Sequence, residues 1–283
     1  MSKLSGLIAY SLALGLGASL AVDAAAKEWS RVRIATEGAY PPWNATDSSG
    51  ELVGFEIDLA KDLCQRMAVE CEIVAQDWEG IIPALQAGKY DVFMAGMSIT
   101  DERKKVITFS EPYADTPAAF AVLGGSDLAS YSGATDRIDL DEIGADEQAA
   151  LDELKQALEG KTIGVQVATT HQNFVDAYLS EIVEVRRYDT QENLDLDLGS
   201  GRVDAALADL SYWQPLLETE HGEDLVLIGP SMVGGSYGEG IGVGIRQEDQ
   251  DLVEMFNQAI AAAKADGTIT RLSEQWFGFD AAS

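Results

Sequence analysis

Asp91-Val92-Phe93-Met94-Ala95-Gly96-Met97-Ser98-Ile99-Thr100-Asp101-Glu102-Arg103 is the stretch on which the reading of this chain turns. It opens as a short apolar run, Val92 to Met94, entered through Gly88-Lys89-Tyr90, which describes a buried strand following a turn. It closes in small and hydroxyl residues and then in Thr100-Asp101-Glu102, which suit the first turn of a helix, with Arg103 inside that turn. A strand end, backbone amides, two hydroxyls and one guanidinium therefore converge. Helix N-termini attract anions and an arginine fork matches a carboxylate, so this corner is expected to bind a carboxylate. Read locally, a strand and a helix joined by a turn with a surface arginine would look the same.

The flanking sequence places that corner in a repeating pattern. Val32 to Thr36 reads as a strand running into the proline-stiffened loop Glu37 to Trp43. Phe55 to Met67 reads as a helix, Cys71 to Ala75 as a strand ending near Trp78, and Gly80 to Gln86 as a helix. This β-α-β-α-β order predicts a parallel sheet covered by helices, with ligands beyond the carboxyl ends of the strands. Glu37, Tyr40, Trp78, Ala95 to Ser98 and Arg103 would share that rim. A strand is expected over Ala118 to Leu123. Ser126 to Gly160 is polar and acidic and is expected to be a surface excursion, helical over Asp139 to Leu158. A second series follows: a strand to Gln166, the loop Val167 to Thr170, a helix from His171, strands at Val183 to Tyr188 and Val203 to Ala208, and Asp209 at the last strand's end. Gly88-Lys89-Tyr90-Asp91 and Gly201-Arg202-Val203-Asp204 hold the same place in the two series, between a helix and a strand. Two similar lobes with a cleft between them are expected. The C-terminal segment, ending in a helix over Thr268 to Phe277, is expected to return to the first lobe, leaving two crossover strands as the hinge.

Bulk properties limit what such a cleft serves. The chain has 283 residues, 46% of them hydrophobic, enough for a substantial core. Its 48 acidic residues against 19 basic ones give a net charge of −29, which repels nucleic acid and anionic membrane surfaces. Such acidity fits a solvated surface, including that of a protein working in high salt, where the Debye length falls to about 3 Å at 1 M, or a surface tuned to a cationic partner. Lys3, the apolar stretch Leu7 to Val22 and the small residues Ala24 to Ala26 describe an export signal, with the mature chain starting near Ala25 or Lys27, the other reading being a retained membrane anchor. In an exported protein the two cysteines, Cys64 and Cys71, read as a disulfide contributing roughly 2–3 kcal/mol in the chain-entropy treatment. The two histidines, His171 and His221, are far apart in sequence, and no metal or cofactor motif stands out.

Arg103 on one rim and Asp209 on the other match a zwitterion, the head group of an α-amino acid. Tyr40 and Trp78 would wall the side chain, and Glu37 suits a cationic one. Thr169 and Thr170, at a strand–helix turn of the second lobe, offer hydroxyls and amides.

These residues resemble the solute-binding proteins of polar amino acid ABC transporters (family 3) over about Val32 to Phe277. The resemblance is carried by Gly54-Phe55-Glu56-Ile57-Asp58-Leu59, Ser98 to Arg103, Phe109-Ser110-Glu111-Pro112-Tyr113, Gly164 to Thr170 and Gly201 to Ala205. The cysteine pair looks like that of the lysine/arginine/ornithine and histidine binders, while Trp78, Ala95-Gly96-Met97-Ser98 and the long insertion look like the octopine/nopaline branch. Ala95-Gly96 stands where the lysine/arginine binders carry two serines, which opens space for a bulkier ligand. Ala168 replaces the usual loop glycine. The resemblance implies an α/β, two-lobed periplasmic-binding-protein type II fold, each lobe a mainly parallel sheet flanked by helices. It implies a signal peptide over 1–26, a first lobe over 27–115 and 235–283, and a second over 116–234 with the acidic insertion at about 126–160. Glu37, Tyr40, Trp78, Ala95, Gly96, Met97, Ser98, Arg103, Gln166, Thr169, Thr170 and Asp209 are expected to bind the ligand. Arg103, helped by Ser98 and the Thr170 amide, would take the α-carboxylate, and Asp209 the α-ammonium. The implied protein is a periplasmic monomer, not an enzyme and without cofactor, that closes on a cationic amino acid or an arginine-derived opine and docks on an inner-membrane ABC permease. An enzyme on the same fold, a dehydratase or a peptidoglycan lyase, and a sensor domain are the other readings.

Overall fold

The computed structural model describes residues 29–282. The expected signal peptide lies outside them. Among the described residues no helix is long and apolar enough to cross a membrane.

Two sheets carry the fold. In the first, the strands lie in the order Glu70–Ala75, Arg31–Thr36, Val92–Phe93, Gly244–Ile245, Thr108–Phe109. The first three are parallel, as the β-α-β-α-β reading predicts, and Gly244–Ile245 enters antiparallel to both neighbours. In the second, the order is Glu184–Tyr188, Thr162–Gln166, Ala205–Asp209, Ala118–Leu123, Leu225–Val233, Arg137–Asp139. Again the first three are parallel, and Ala118–Leu123 runs antiparallel to both neighbours. The two reversed strands are those that arrive from the other lobe: a chain crossing a cleft enters its new sheet from the opposite side. Each lobe is therefore a parallel half joined to a mixed half. Isolated bridges from Ile241 to Ser98 and to Ala114 tie the returning chain beside the outgoing one.

The helix Phe55–Met67 shows how the local sequence writes its own limits. Phe55, Leu59 and Leu63 recur on its buried face, Glu56 and Asp58 sit in its first turn and Arg66 in its last, matching the helix dipole. Gly54 precedes it at φ 132°, where a Cβ would lie 2.5 Å from the Trp43 carbonyl oxygen, so only glycine fits. Ala68 ends it in the left-handed conformation. The Cys64–Cys71 disulfide then clips this helix to the next strand.

Two expectations are corrected. The segment 126–160 is not a surface excursion. It supplies the strand Arg137–Asp139, paired with Leu225–Val233, and the helix Ala145–Leu158, which starts later than expected. Leu151, Leu154 and Leu158 on that helix are buried with Ile138 and Leu128 in the core of the second lobe. Acidic composition masked a helical apolar stripe worth about 1.5–3 kcal/mol per fully buried leucine. The Glu37 to Trp43 loop is also more ordered than a loop, because Ala39–Tyr40 pairs with Asn44–Thr46 and this in turn with Leu52–Val53.

Candidate functional site

The parallel strands of both sheets end at one cavity. It is lined by Glu37, Tyr40, Trp78, Ala95, Gly96, Ser98, Arg103, Gln166, Thr169, Thr170, His171 and Asp209.

The first lobe contributes the loops that follow its three parallel strands. Glu37 follows Arg31–Thr36, Trp78 follows Glu70–Ala75, and Ala95 to Ser98 follow Val92–Phe93. The Thr100 hydroxyl caps the single turn Asp101–Lys104 by accepting from the Arg103 amide at 3.3 Å. This fixes the backbone of Arg103, and the side chain then donates to the Ser98 carbonyl at 2.9 Å. In the second lobe, the Thr169 hydroxyl caps the helix Thr170–Tyr178 by accepting from the Gln172 amide at 3.1 Å, and donates to the Gln166 carbonyl at 2.7 Å. Ala168 takes φ 56°, the left-handed region that the usual glycine would occupy without strain.

The two rims touch around the cavity. The Arg103 guanidinium donates to the Ala168 carbonyl at 3.0 Å, and the Trp78 indole to that of Val167 at 2.9 Å. Gln166 donates to Glu37 at 2.7 Å, and the Tyr40 hydroxyl to Asp209 at 2.7 Å. Tyr40 also stacks on Tyr212 with ring centroids 4.7 Å apart, and Trp43 donates to the Ser211 hydroxyl at 3.0 Å. Arg103 lies 5.7 Å from the centre of the Trp78 ring, a cation–π distance.

Electrostatically the cavity has two unlike poles. Burial pushes the Arg103 guanidinium down to about 10, against the pull of Glu102 and Asp209, so it remains a cation at neutral pH. Burial raises Glu37 to about 7, opposed by the Gln166 hydrogen bond and reinforced by Glu192, Glu56 and Asp77. Burial, followed by Asp209, holds the Tyr40 hydroxyl well above its ordinary range, so it donates. The Glu37 end thus concentrates acid groups in a desolvated place, where a cation would be strongly favoured. Among the described residues no cluster of three His, Cys, Asp or Glu side chains could hold a metal.

Eleven of the twelve expected site residues line this cavity, and Met97 does not. Met97 is 2% exposed in the core of the first lobe and borders a neighbouring cavity with Trp78, Ile81 and Ile82. Ala95, Gly96 and Ser98 face the cavity, while the chain turns at Gly96 (φ 61°) and the Met97 side chain packs with Trp78, Ile81 and Ile99 in the first lobe's core. Two further residues belong to the site that sequence reasoning misses. His171 is buried in the cavity wall with Nε2 3.5 Å from the Asp209 carboxylate and its ring beside Tyr237. Its place directly after Thr169-Thr170, at the start of a helix, is the available signal. Glu56, fully buried beneath the rim, accepts from the Gly96 amide at 2.7 Å. Its helical position alone reads as a dipole partner and hides that role.

The chain belongs to the bacterial extracellular solute-binding proteins, family 3, whose model matches residues 32–279. It is 41% identical to the octopine-binding periplasmic protein of Rhizobium meliloti, over 92% of this chain and 94% of that one. It is 35% identical to the L-arginine-binding protein of Pseudomonas aeruginosa, over 88% of each. An ancestral arginine-binding protein bound to arginine superposes with a TM-score of 0.73 at 34% identity, covering 88% of this chain and 99% of that chain.

Proposed function

We propose that this protein is the periplasmic capture component of an ABC transporter for a cationic amino acid or an arginine-derived opine. One observation carries the reading: the Arg103 guanidinium from one lobe, the Asp209 carboxylate from the other and the acid Glu37 line a single cavity. A ligand with a carboxylate, an adjacent ammonium and a distant cation has a partner for each group. Arg103 holds the carboxylate with Ser98 and the Thr170 amide, and Asp209 holds the ammonium. Tyr40 and Trp78 enclose the side chain, and Glu37 meets its cation. The relatives named for octopine and for L-arginine support a guanidino group at that end. Ala95 and Gly96, which carry no hydroxyl, leave room for the extra substituent of an opine.

Each rim holds only part of this constellation, so ligand affinity is realised when the lobes close. The segments 27–115 and 235–283 act as one lobe and 116–234 as the other. The closed monomer docks on an inner-membrane permease after export through the N-terminal signal. The protein binds and releases its ligand without chemistry.

Calorimetric titration with arginine, lysine, octopine, nopaline, glutamine and glutamate tests this. Binding of a cationic member and none of glutamate is expected. If no cationic ligand binds, the specificity is wrong. If Arg103→Ala leaves the affinity for any of them unchanged, the site is wrong.

A further inference from the structure

We propose that Glu56 is a positioning residue: a buried acceptor that holds the Glu37–Tyr40 and Ala95–Gly96 loops in register with the crossover at Tyr113–Ala114. It rests on the ligand reading above only for its affinity readout.

Glu56 and Asn44 are both fully excluded from solvent. Glu56 Oε1 accepts from the Gly96 amide at 2.7 Å and from the Tyr113 hydroxyl, and its Oε2 accepts from Asn44 Nδ2 at 2.8 Å. Asn44 extends the chain, since its Oδ1 accepts from the Gly38 amide at 2.7 Å. Gly38 follows Glu37, and Gly96 follows Ala95, both at positive φ (76° and 61°) where the backbone is set by such bonds rather than by a side chain. Tyr113 lies at the outgoing crossover, where its amide donates to Ile241 of the returning chain at 2.9 Å and Ala114 bridges the same residue. One carboxylate therefore connects three places that must keep their relative positions for Glu37 and the Gly96 corner to meet a ligand.

The chemistry requires an acid. Two of its partners, the Gly96 amide and Asn44 Nδ2, can only donate, so each needs an accepting oxygen, and a carboxyl supplies two; burial raises this carboxyl, opposed by the hydrogen bonds from Tyr113, Gly96 and Asn44. In Glu56→Gln one oxygen still serves Gly96 and Tyr113, but the new amide nitrogen then faces Asn44 Nδ2, donor against donor. Turning the Asn44 amide relieves that clash and leaves the Gly38 amide without its acceptor. The variant thus removes the Gly38 link while keeping shape and volume. Adding Asn44→Asp repairs it: the glutamine amide introduced at position 56 donates to one oxygen of the carboxylate introduced at position 44, and the other oxygen accepts from Gly38.

The test compares wild type, E56Q and N44D/E56Q. L-arginine and octopine are titrated between pH 6 and 8, and amide exchange of Gly38 and Gly96 is followed in the unliganded proteins. E56Q is expected to weaken binding about tenfold or more, to shift the pH midpoint set by Glu37, and to speed Gly38 exchange about tenfold beyond any change in global unfolding. The double variant is expected to recover affinity, midpoint and exchange to within about threefold. If E56Q does not fold, recovery of folding and binding in the double variant supports the proposal equally. Gly38 exchange unchanged in E56Q, or a double variant no better than E56Q, overturns it. If wild type binds neither probe, the ligand reading fails, and the Gly38 comparison alone decides the role of Glu56.

Discussion

The two lobes set the same turn by the same means and then put it to different use. In the first, Gly88 takes φ 72° and Asp91 accepts from the Arg33 amide of the neighbouring parallel strand at 2.9 Å. In the second, Gly201 takes φ 70° and Asp204 accepts from the Thr162 amide at 2.7 Å. The Gly-x-x-Asp repeat is thus a device that starts a parallel strand in register. Beyond the strand the lobes diverge. The first ends in a guanidinium beside Trp78 and a Gly96 amide held by buried Glu56, the second in a carboxylate beside His171 and a strained alanine. Duplicated scaffolding with unlike ends gives a cleft its two poles. The scaffolding also differs in load: Asp91 pairs with Arg33 and with the largely buried Arg246 of the returning strand, both at 3.4 Å, whereas Asp204 is exposed.

The sharpest break of this comparison is removal of the poles. Arg103→Ala should weaken ligand binding at least about a thousandfold, about 4 kcal/mol, because it deletes a charge-assisted fork. Asp209→Asn should weaken it about a hundredfold. Both are read by calorimetry, with thermal melting showing that the fold survives.

The unequal load of the repeat should appear in stability. Asp91→Asn leaves Arg246 short of one partner and should cost about 2 kcal/mol. Asp204→Asn should cost under about 1 kcal/mol, since the asparagine oxygen still accepts from Thr162. Urea unfolding midpoints measure the pair, and equal losses would refute the difference.

The acid pole has a pH signature. A cationic ligand favours ionised Glu37, whose carboxyl titrates near 7 in the cavity. Binding then releases protons, and affinity rises as pH climbs through 7 and falls as the carboxyl is protonated. About tenfold is expected between pH 6 and 8, and Glu37→Gln should flatten the profile. Glutamine, which is uncharged at that end, should show little of it.

The smallest effects come from the two left-handed positions at the rims. Ala168→Gly should stabilise by about 0.5–1 kcal/mol by relieving strain at φ 56°, while Gly96→Ala at φ 61° should destabilise by about as much. Melting temperatures should move by a few degrees in opposite directions.

How much is legible in the sequence follows from where the information lies. The helix Phe55–Met67, the strand Ala118–Leu123 and the helix Thr268–Phe277 have the expected bounds, because their apolar spacing and end residues are local. The helix Ala145–Leu158 starts later than its sequence suggests and lies in the core. Its acidic composition reads as solvated, and its partner strands lie elsewhere in the chain. Met97 reads as a cavity residue because its neighbours are, but the turn at Gly96 leaves its side chain in the first lobe's core, a matter of packing rather than of sequence order.

From residue order alone come the repeated α/β units, the rim of strand ends, the opposed Arg103 and Asp209, and the cysteine pair. Each depends on spacing, and spacing is set by the period of the backbone. Only the assembled chain decides that Glu56 supports Gly96 and Gly38 through Asn44, that His171 stands beside Asp209, and that Glu37 titrates near neutrality. These depend on which distant groups share a desolvated space, and burial is a property of the packed whole rather than of any stretch within it.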